Sequence, residues 1–205
     1  MAGPMQGKAT GRRERRKLID RETALEAAAR LFAESGYNEA GMAEIAEAAG
    51  FSVGKLYTLF DNKETLFTCL VQERLRQLEA ASAQAMDPTA APLEQLRQRC
   101  RAALDFYVGD PHFSRIFLHE YPEQADGIIQ QETQRHFKII RTYLQMAMDA
   151  GEIPREDPEP IAAIINGLIT SLVDLDAMKD RPCDAARIMD QLDRFVLRPL
   201  EKPPA

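Results

Sequence analysis

Three cysteines, no tryptophan and no uncharged apolar stretch long enough for a membrane helix set the first limits on this 205-residue sequence. Cys69, Cys100 and Cys183 are odd in number and show no C-x-x-C spacing. We therefore expect reduced thiols rather than a disulfide framework, with a redox-sensing role left open. The N-terminus lacks the apolar segment of a secretory leader. These absences predict a cytoplasmic protein with no membrane partner.

Signatures of catalysis and metal binding are also missing. No Gly-rich phosphate loop, G-x-S-x-G or H-E-x-x-H motif occurs. His112 and His119 could share a helix face, which indicates either a metal or effector site or ordinary capping and partly buried histidines. We predict no enzyme activity, no metal and no cofactor. An all-helical enzyme and a helical interaction module stay as remote alternatives.

Charge is distributed unevenly along the chain. The formal net charge is −6, yet residues 1–21 contain seven Lys or Arg against two Asp or Glu. Such asymmetry indicates a basic segment that contacts a polyanion and a body that does not. We interpret residues 1–17 as a flexible basic arm that meets DNA through Arg15 and Arg16, the alternative being a solvated tail.

The segment MAEIAEAAGFSVGKLYTLFDNK, residues 42–63, predicts two short helices joined by a tight turn and the start of a third. Gly50 suits the left-handed conformation that ends the first helix, and the Ser52 hydroxyl suits the cap of the second. At about 100° per residue, Leu56 and Phe60 face inward. The outward face carries Gly54, Lys55, Tyr57 and Thr58. This pattern is typical of a helix-turn-helix, whose second helix enters the DNA major groove.

The same region, about residues 18–70, resembles the tetracycline-repressor (TetR) family of bacterial regulators. The resemblance lies in Gly36-Tyr37, Ile45-Ala46, Ala49-Gly50, Ser52, Gly54, Leu56-Tyr57, Phe60, Lys63-Glu64 and Leu66. It implies an all-α protein with an N-terminal three-helix helix-turn-helix head, residues 18–64. A C-terminal helical bundle for ligand binding and dimerisation would follow, residues 65–205. The implied DNA contacts are Gly41, Ser52, Val53, Gly54, Lys55, Tyr57, Thr58 and Lys63.

The remaining chain lacks the alternating pattern of strands, so helices are predicted throughout. Residues 159–178 are apolar on nearly every side and should be buried on nearly every side. With the last helix they predict a dimer interface of Ala163, Gly167, Thr170, Leu172, Ile188, Leu192 and Phe195. An effector pocket, or simply core packing, is indicated by Phe106, Phe113, Phe117, Tyr121, Phe137, Ile140, Tyr143, Asn166 and Thr170.

The residues and the resemblance together predict a homodimeric, ligand-responsive transcription regulator that binds double-stranded operator DNA. The expected mode is repression of a palindromic operator, relieved by a small, largely apolar effector. A ligand-independent or activating regulator of the same fold is the alternative.

Overall fold

The computed structural model describes the backbone of residues 6–119, 126–178 and 181–201. Side chains are described over the same ranges except 6–10, 117–119, 126, 128–129, 132–133 and 177–178. No strand occurs within these ranges. The prediction of an all-α fold is confirmed.

The helices follow one another with short connections. They are α1 (Gln6–Ser35), α2 (Met42–Ala48), α3 (Val53–Leu59), α4 (Lys63–Ala85), α5 (Pro92–Gly109), α6 (Pro111–His119), α7 (Asp126–Asp149), α8 (Pro158–Met178) and α9 (Ala185–Leu192). A π-helical segment, Asp193–Leu197, and a last turn, Arg198–Leu200, continue the final helix. The apolar helix predicted over residues 159–178 corresponds to α8 to within one residue.

The start of α1 is different from the prediction. Residues 6–17 are helical, so α1 begins well before Leu18. That residues 1–17 act as a basic arm on DNA stays a prediction. Arg12, Arg13, Arg15, Arg16 and Lys17 have good helix propensity and no proline interrupts them, which explains how the helix extends without a buried stripe. Every residue from 11 to 19 is exposed.

The chain divides into two compact units. The first contains the described residues up to Glu73 and those from Arg115 to His119. In it α1 packs on α2 and α2 packs on α3. Alanines 24, 27 and 28 on α1 are buried and let the helices approach closely. Its aromatic centre is a cluster of Phe32, Tyr37 and Phe67, with ring centroids 5.2–5.6 Å apart.

The second unit contains Arg74–Ser114 and the described residues from Asp126 onward. Helix α7 packs on α5 and α8, and α9 packs on α5 and α8. Its core includes Leu96, Leu144, Ile165, Leu192 and Leu197, each completely buried. Helix α4 contributes its residues up to Glu73 to the first unit and the remainder to the second.

Helix α8 is apolar, and a single chain leaves part of its surface uncovered. The stretch Pro158–Asp176 is long and apolar enough to cross a membrane by length and composition alone, a test that core helices of soluble proteins also pass. Only 17% of the most apolar part of this stretch is buried inside the chain. Ile164 and Leu175 are 56% and 36% exposed. The expectation of burial on nearly every side is therefore not met within a single chain.

Candidate DNA-binding surface

Helix α2 is closed at both ends by local contacts. At its start, the backbone N–H of Gly41 donates to Glu44 Oε2 at 2.8 Å, one half of a capping box. At its end, Gly50 takes a positive φ of 70°. This places the Gly50 N–H 2.9 Å from the Glu47 carbonyl and the Phe51 N–H 2.8 Å from the Ala46 carbonyl. The turn that follows sets the direction of α3.

Helix α3 presents one face to the core and the other to solvent. Ser52 Oγ accepts from the Lys55 N–H at 3.2 Å and so caps the helix. Leu56 and Phe60 are buried, which confirms their predicted orientation. Val53 and Tyr57 are 43% and 49% exposed, unusual values for large apolar and aromatic side chains. Gly54 and Thr58 complete the exposed face.

Gly54 is not required by the protein's own packing. A Cβ built at this position meets no atom within 4 Å, and the backbone is not in the left-handed region. A helical glycine costs roughly 0.5–1 kcal/mol relative to alanine. Such a residue in the middle of an exposed face is suited to the close approach of another molecule.

Lys55, predicted to reach DNA, has partners within the chain. Its Nζ lies 3.0 Å from Asp20 Oδ2 of α1 and 3.8 Å from the centre of the Phe51 ring. The Thr58 hydroxyl also has an internal partner, since Oγ1 donates to the Lys55 carbonyl at 2.6 Å. Both side chains therefore have partners within the chain.

Arg21 of α1 is a structural contact that sequence reasoning missed. Its Nη1 donates to the Leu59 carbonyl in the last turn of α3 at 2.9 Å, and its Nη2 lies 3.2 Å from Cys69 Sγ. The guanidinium also lies over the Phe60 ring, at 4.6 Å. A cation at the C-terminus of a helix is favourable. Arg21 thus fixes the end of α3 against α1 and α4.

Lys63, predicted to contact phosphate, is engaged at the start of α4. Its Nζ donates to the carbonyls of Tyr37 and Asn38 at 2.8 and 3.1 Å and lies 4.5 Å from the centre of the Tyr37 ring. Burial is the main cause that raises the pKa of Tyr37, and the charge of Glu64 adds to it. The Tyr37 ring is partly buried and packs on Phe32 and Phe67. Lys63 holds the loop between α1 and α2.

The predicted effector residues fall into separate groups. Phe113 and Ile140 are buried in the chain, Phe137 and Tyr143 pack against the core of the second unit, and Phe106 packs its ring on Phe113 at 6.3 Å. Thr170 Oγ1 donates to the carbonyls of Asn166 and Gly167 in its own helix, and Asn166 is half-buried. The Phe117 side chain and Tyr121 lie outside the described residues.

A groove on the second unit takes in one of these residues. It measures about 790 Å³ and runs between α7 and α8. Phe137, Met146 and Pro158 supply its apolar lining, while Lys138 and Arg141 supply cations. Arg141 forms an ion pair with Glu159 across it at 3.5 Å. Among the described residues, no group of His, Cys, Asp and Glu is placed to hold a metal ion.

Buried charges lie elsewhere in the second unit. Arg74 Nε is 3.0 Å from Asp110 Oδ2, and the other Asp110 oxygen caps α6 by accepting from the Phe113 N–H at 3.0 Å. Arg99, also buried, pairs with Glu79 at 3.0 Å. Burial lowers the pKa of the neighbouring His136, and Arg99 lowers it further. These pairs fix α4, α5 and α6 to one another within the second unit.

The predicted dimer residues divide between surface and core. Ala163 is exposed, Phe195 is 64% exposed, and Gly167, Thr170 and Leu172 are partly exposed. Ile188 and Leu192 are completely buried in the single chain. Helices α5 and α8 cover the apolar stripe of α9. Ile188 and Leu192 therefore cannot contact a second chain, which corrects the prediction for these two residues.

Comparison with known proteins matches both parts of the chain. Residues 24–69 match the family model for bacterial regulatory proteins, tetR family. Residues 93–198, more than half of the chain, match the model for the tetracyclin repressor-like C-terminal domain. The chain is 28% identical over 191 residues to the uncharacterized HTH-type transcriptional regulator YhgD of Bacillus subtilis, which covers 91% of this chain and 97% of that protein.

Two solved structures share the fold. One is the fatty acid degradation regulator FadR from Bacillus halodurans, with a TM-score of 0.78 and 22% identity, covering 86% of this chain and 94% of that one. The other is AibR in complex with isovaleryl coenzyme A and operator DNA, with a TM-score of 0.69 and 22% identity, covering 87% and 98%.

Proposed function

The chain belongs to the TetR family of bacterial transcriptional regulators, and from that premise we propose that it is a dimeric repressor released from a palindromic operator by a small, largely apolar effector. The observation that carries the proposal is the α2–α3 pair. Its turn and caps are complete, and its outer face leaves Val53, Gly54 and Tyr57 uncovered. In a helix-turn-helix this face enters the major groove.

The DNA contacts would divide into two kinds. Tyr57 and Lys63 would position the protein on phosphates, while Lys55 and Thr58 would contact base edges, since phosphate contacts orient and base contacts specify. The DNA sugar–phosphate backbone would be approached closely by Gly41, Ser52, Val53 and Gly54. Arg15 and Arg16, in the exposed N-terminal part of α1, would add positive charge. Of the three N–H donors of the Lys63 ammonium, two already bind carbonyls, which leaves one for a phosphate oxygen.

The dimer would form through the uncovered faces of α8 and the last helix. Ile164 and Phe195 are large apolar side chains that a single chain leaves in solvent. A Cβ built at Gly167 meets no atom within 4 Å, so the glycine leaves room for a second helix. Ala163, Thr170 and Leu172 would border the same contact.

The effector would bind the second unit and act through α4, which contributes to both units. Two recognition helices must match half-sites about 34 Å apart, one turn of B-DNA. A change of a few ångströms in their separation would misalign one half-site, and each mismatched base pair costs roughly 1–3 kcal/mol. The dimer would therefore have two states, which differ in the separation of the recognition helices. An effector that binds one state more tightly than the other by about 1–3 kcal/mol is sufficient to switch DNA binding.

Selection from a random duplex library tests DNA binding directly. We expect recovered sequences with two-fold symmetry, bound in a salt-dependent manner. Gly54→Leu should abolish binding without unfolding the protein, because the position is open. Ala80→Leu, on an exposed position of α4, is the matched control and should bind normally. Recovery of no sequence preference by the wild type would refute the proposal.

A thermal-shift screen followed by DNA binding tests the effector. The panel should contain apolar metabolites and short-chain acyl-CoA thioesters, since AibR was solved with isovaleryl coenzyme A and shares this fold. We expect a compound that raises the melting temperature to lower operator affinity by about 5- to 150-fold. Binders that leave operator affinity unchanged would contradict ligand-controlled repression and favour the alternative, a regulator controlled in another way.

A further inference from the structure

The only cationic residue in α3, Lys55, has an acidic partner on another helix. Its ammonium lies 3.0 Å from Asp20 Oδ2, and the two side chains are 36% and 21% exposed. The ammonium also lies 3.8 Å from the centre of the Phe51 ring, a cation–π contact. The charge that a recognition helix would offer to DNA is therefore already paired in the free protein.

A paired lysine differs from a free one in its contribution to DNA binding. Affinity gained from phosphate neutralisation depends on counterion release, and each phosphate neutralised contributes about 0.9 to the salt slope. Asp20 reduces this contribution because its carboxylate already balances the ammonium. The same pairing fixes the direction of the side chain, whose remaining N–H donors can still meet acceptors on a base edge.

The position of α3 does not depend on Asp20, because the next residue of α1, Arg21, holds the end of that helix. Arg21 binds the Leu59 carbonyl at 2.9 Å and packs on Phe60 at 4.6 Å, so it holds the last turn of α3. Ser52 caps the first turn independently. Removing the carboxylate of Asp20 should therefore release the Lys55 side chain and leave the helix in place.

We propose that Asp20 is a specificity-determining residue, which holds the Lys55 ammonium away from phosphates so that this lysine contributes to base recognition rather than to general attraction. The proposal rests on the proposed function, namely that α3 enters the major groove. In this arrangement Asp20 lowers affinity for random DNA and raises the ratio of operator binding to random binding.

The test is a double-mutant cycle measured by fluorescence anisotropy on the selected operator and on a random duplex. Asp20→Asn should raise the salt slope on random DNA by about 0.9, which is about 3.5-fold more affinity lost between 50 and 200 mM salt. The ratio of operator to random affinity should fall. Asp20→Glu keeps the charge and should behave as the wild type.

The Lys55→Met background distinguishes two effects of Asp20→Asn: the release of Lys55 from its ion pair, and the general loss of one negative charge. There, Asp20→Asn should leave the salt slope unchanged, because the lysine it would release is gone. An equal rise of the slope in both backgrounds, or no rise in the wild-type background, would overturn the role of Asp20 while the proposed function stands. A wild type that binds every duplex alike would overturn both. Circular dichroism should show equal helix content for all four proteins of the cycle.

Discussion

Replacing Lys63 by methionine should destabilise the first unit, whatever its effect on DNA binding. The substitution keeps most of the side-chain length and removes the ammonium. Two carbonyls, those of Tyr37 and Asn38, then lose a donor at 2.8 and 3.1 Å, and the Tyr37 ring loses its cation. These contacts join residues 25 and 26 positions apart, so the start of α4 holds the loop between α1 and α2.

The expected loss is about 2–4 kcal/mol. A hydrogen bond to a charged group contributes about 1.5–3 kcal/mol, and we assign this to the partly buried bond to Tyr37. The bond to Asn38 is exposed and adds less. The ring contact adds about 0.5–1 kcal/mol. With a urea m-value of about 2 kcal/mol/M, the midpoint should fall by about 1–2 M.

Urea unfolding followed by circular dichroism, at one fixed protein concentration, measures the change. Hydrogen exchange should localise it, with faster exchange in a peptide covering residues 36–45. Lys17→Met is the matched control, because Lys17 is exposed on α1, and it should change stability by less than about 0.5 kcal/mol. An unchanged midpoint for Lys63→Met would show that the two carbonyl contacts contribute nothing in solution.

Three further predictions test the second unit. Asp110→Ala removes the cap of α6 and the partner of a buried arginine, so it should cost about 3–5 kcal/mol in a thermal or urea melt, whereas Asp105→Ala, from an exposed pair, should cost about 0–1. Burial raises the pKa of Cys100 to about 12, so at pH 7 to 9 it stays a thiol and iodoacetamide should modify it only after unfolding, as mass spectrometry would show. Phe195→Asp and Gly167→Leu should each shift the sedimentation coefficient towards that of a monomer with helix content retained, and a wild type that sediments as a monomer at micromolar concentration would sink the dimer.

Contacts between residues close in sequence could be predicted from the sequence. Ser52 caps α3, Asn62 caps α4 by accepting from the Thr65 N–H at 2.7 Å, and Asp184 caps α9 by accepting from the Arg187 N–H at 3.0 Å. Each of these bonds spans three residues. A polar residue before an apolar periodic segment carries enough information to place such a bond, because the geometry is set by the helix start itself.

Contacts between residues far apart could not be predicted in this way. Arg21 reaches Leu59 and Cys69 across 38 and 48 positions, and in the sequence it is one of seven basic residues among the first 21. Nothing in its local pattern distinguishes it from Arg15 or Arg16, which are exposed. Only the packing of α1 on the rest of the first unit decides which arginine becomes structural. The same holds for Lys63, whose predicted phosphate contact stays a proposal.

On one face of α8, the burial predicted from the sequence pattern differs from the exposure found in a single chain. An apolar helix predicts burial, and the sequence cannot tell whether the cover comes from the same chain or from another. The structure separates the two cases, because Ile165 and Val173 face the core while Ile164 and Leu175 face solvent. Exposed apolar side chains on a regular helix cost free energy in a monomer. Association through this face would remove that cost, so the residues left over by one chain, rather than those it buries, define where a second chain should bind.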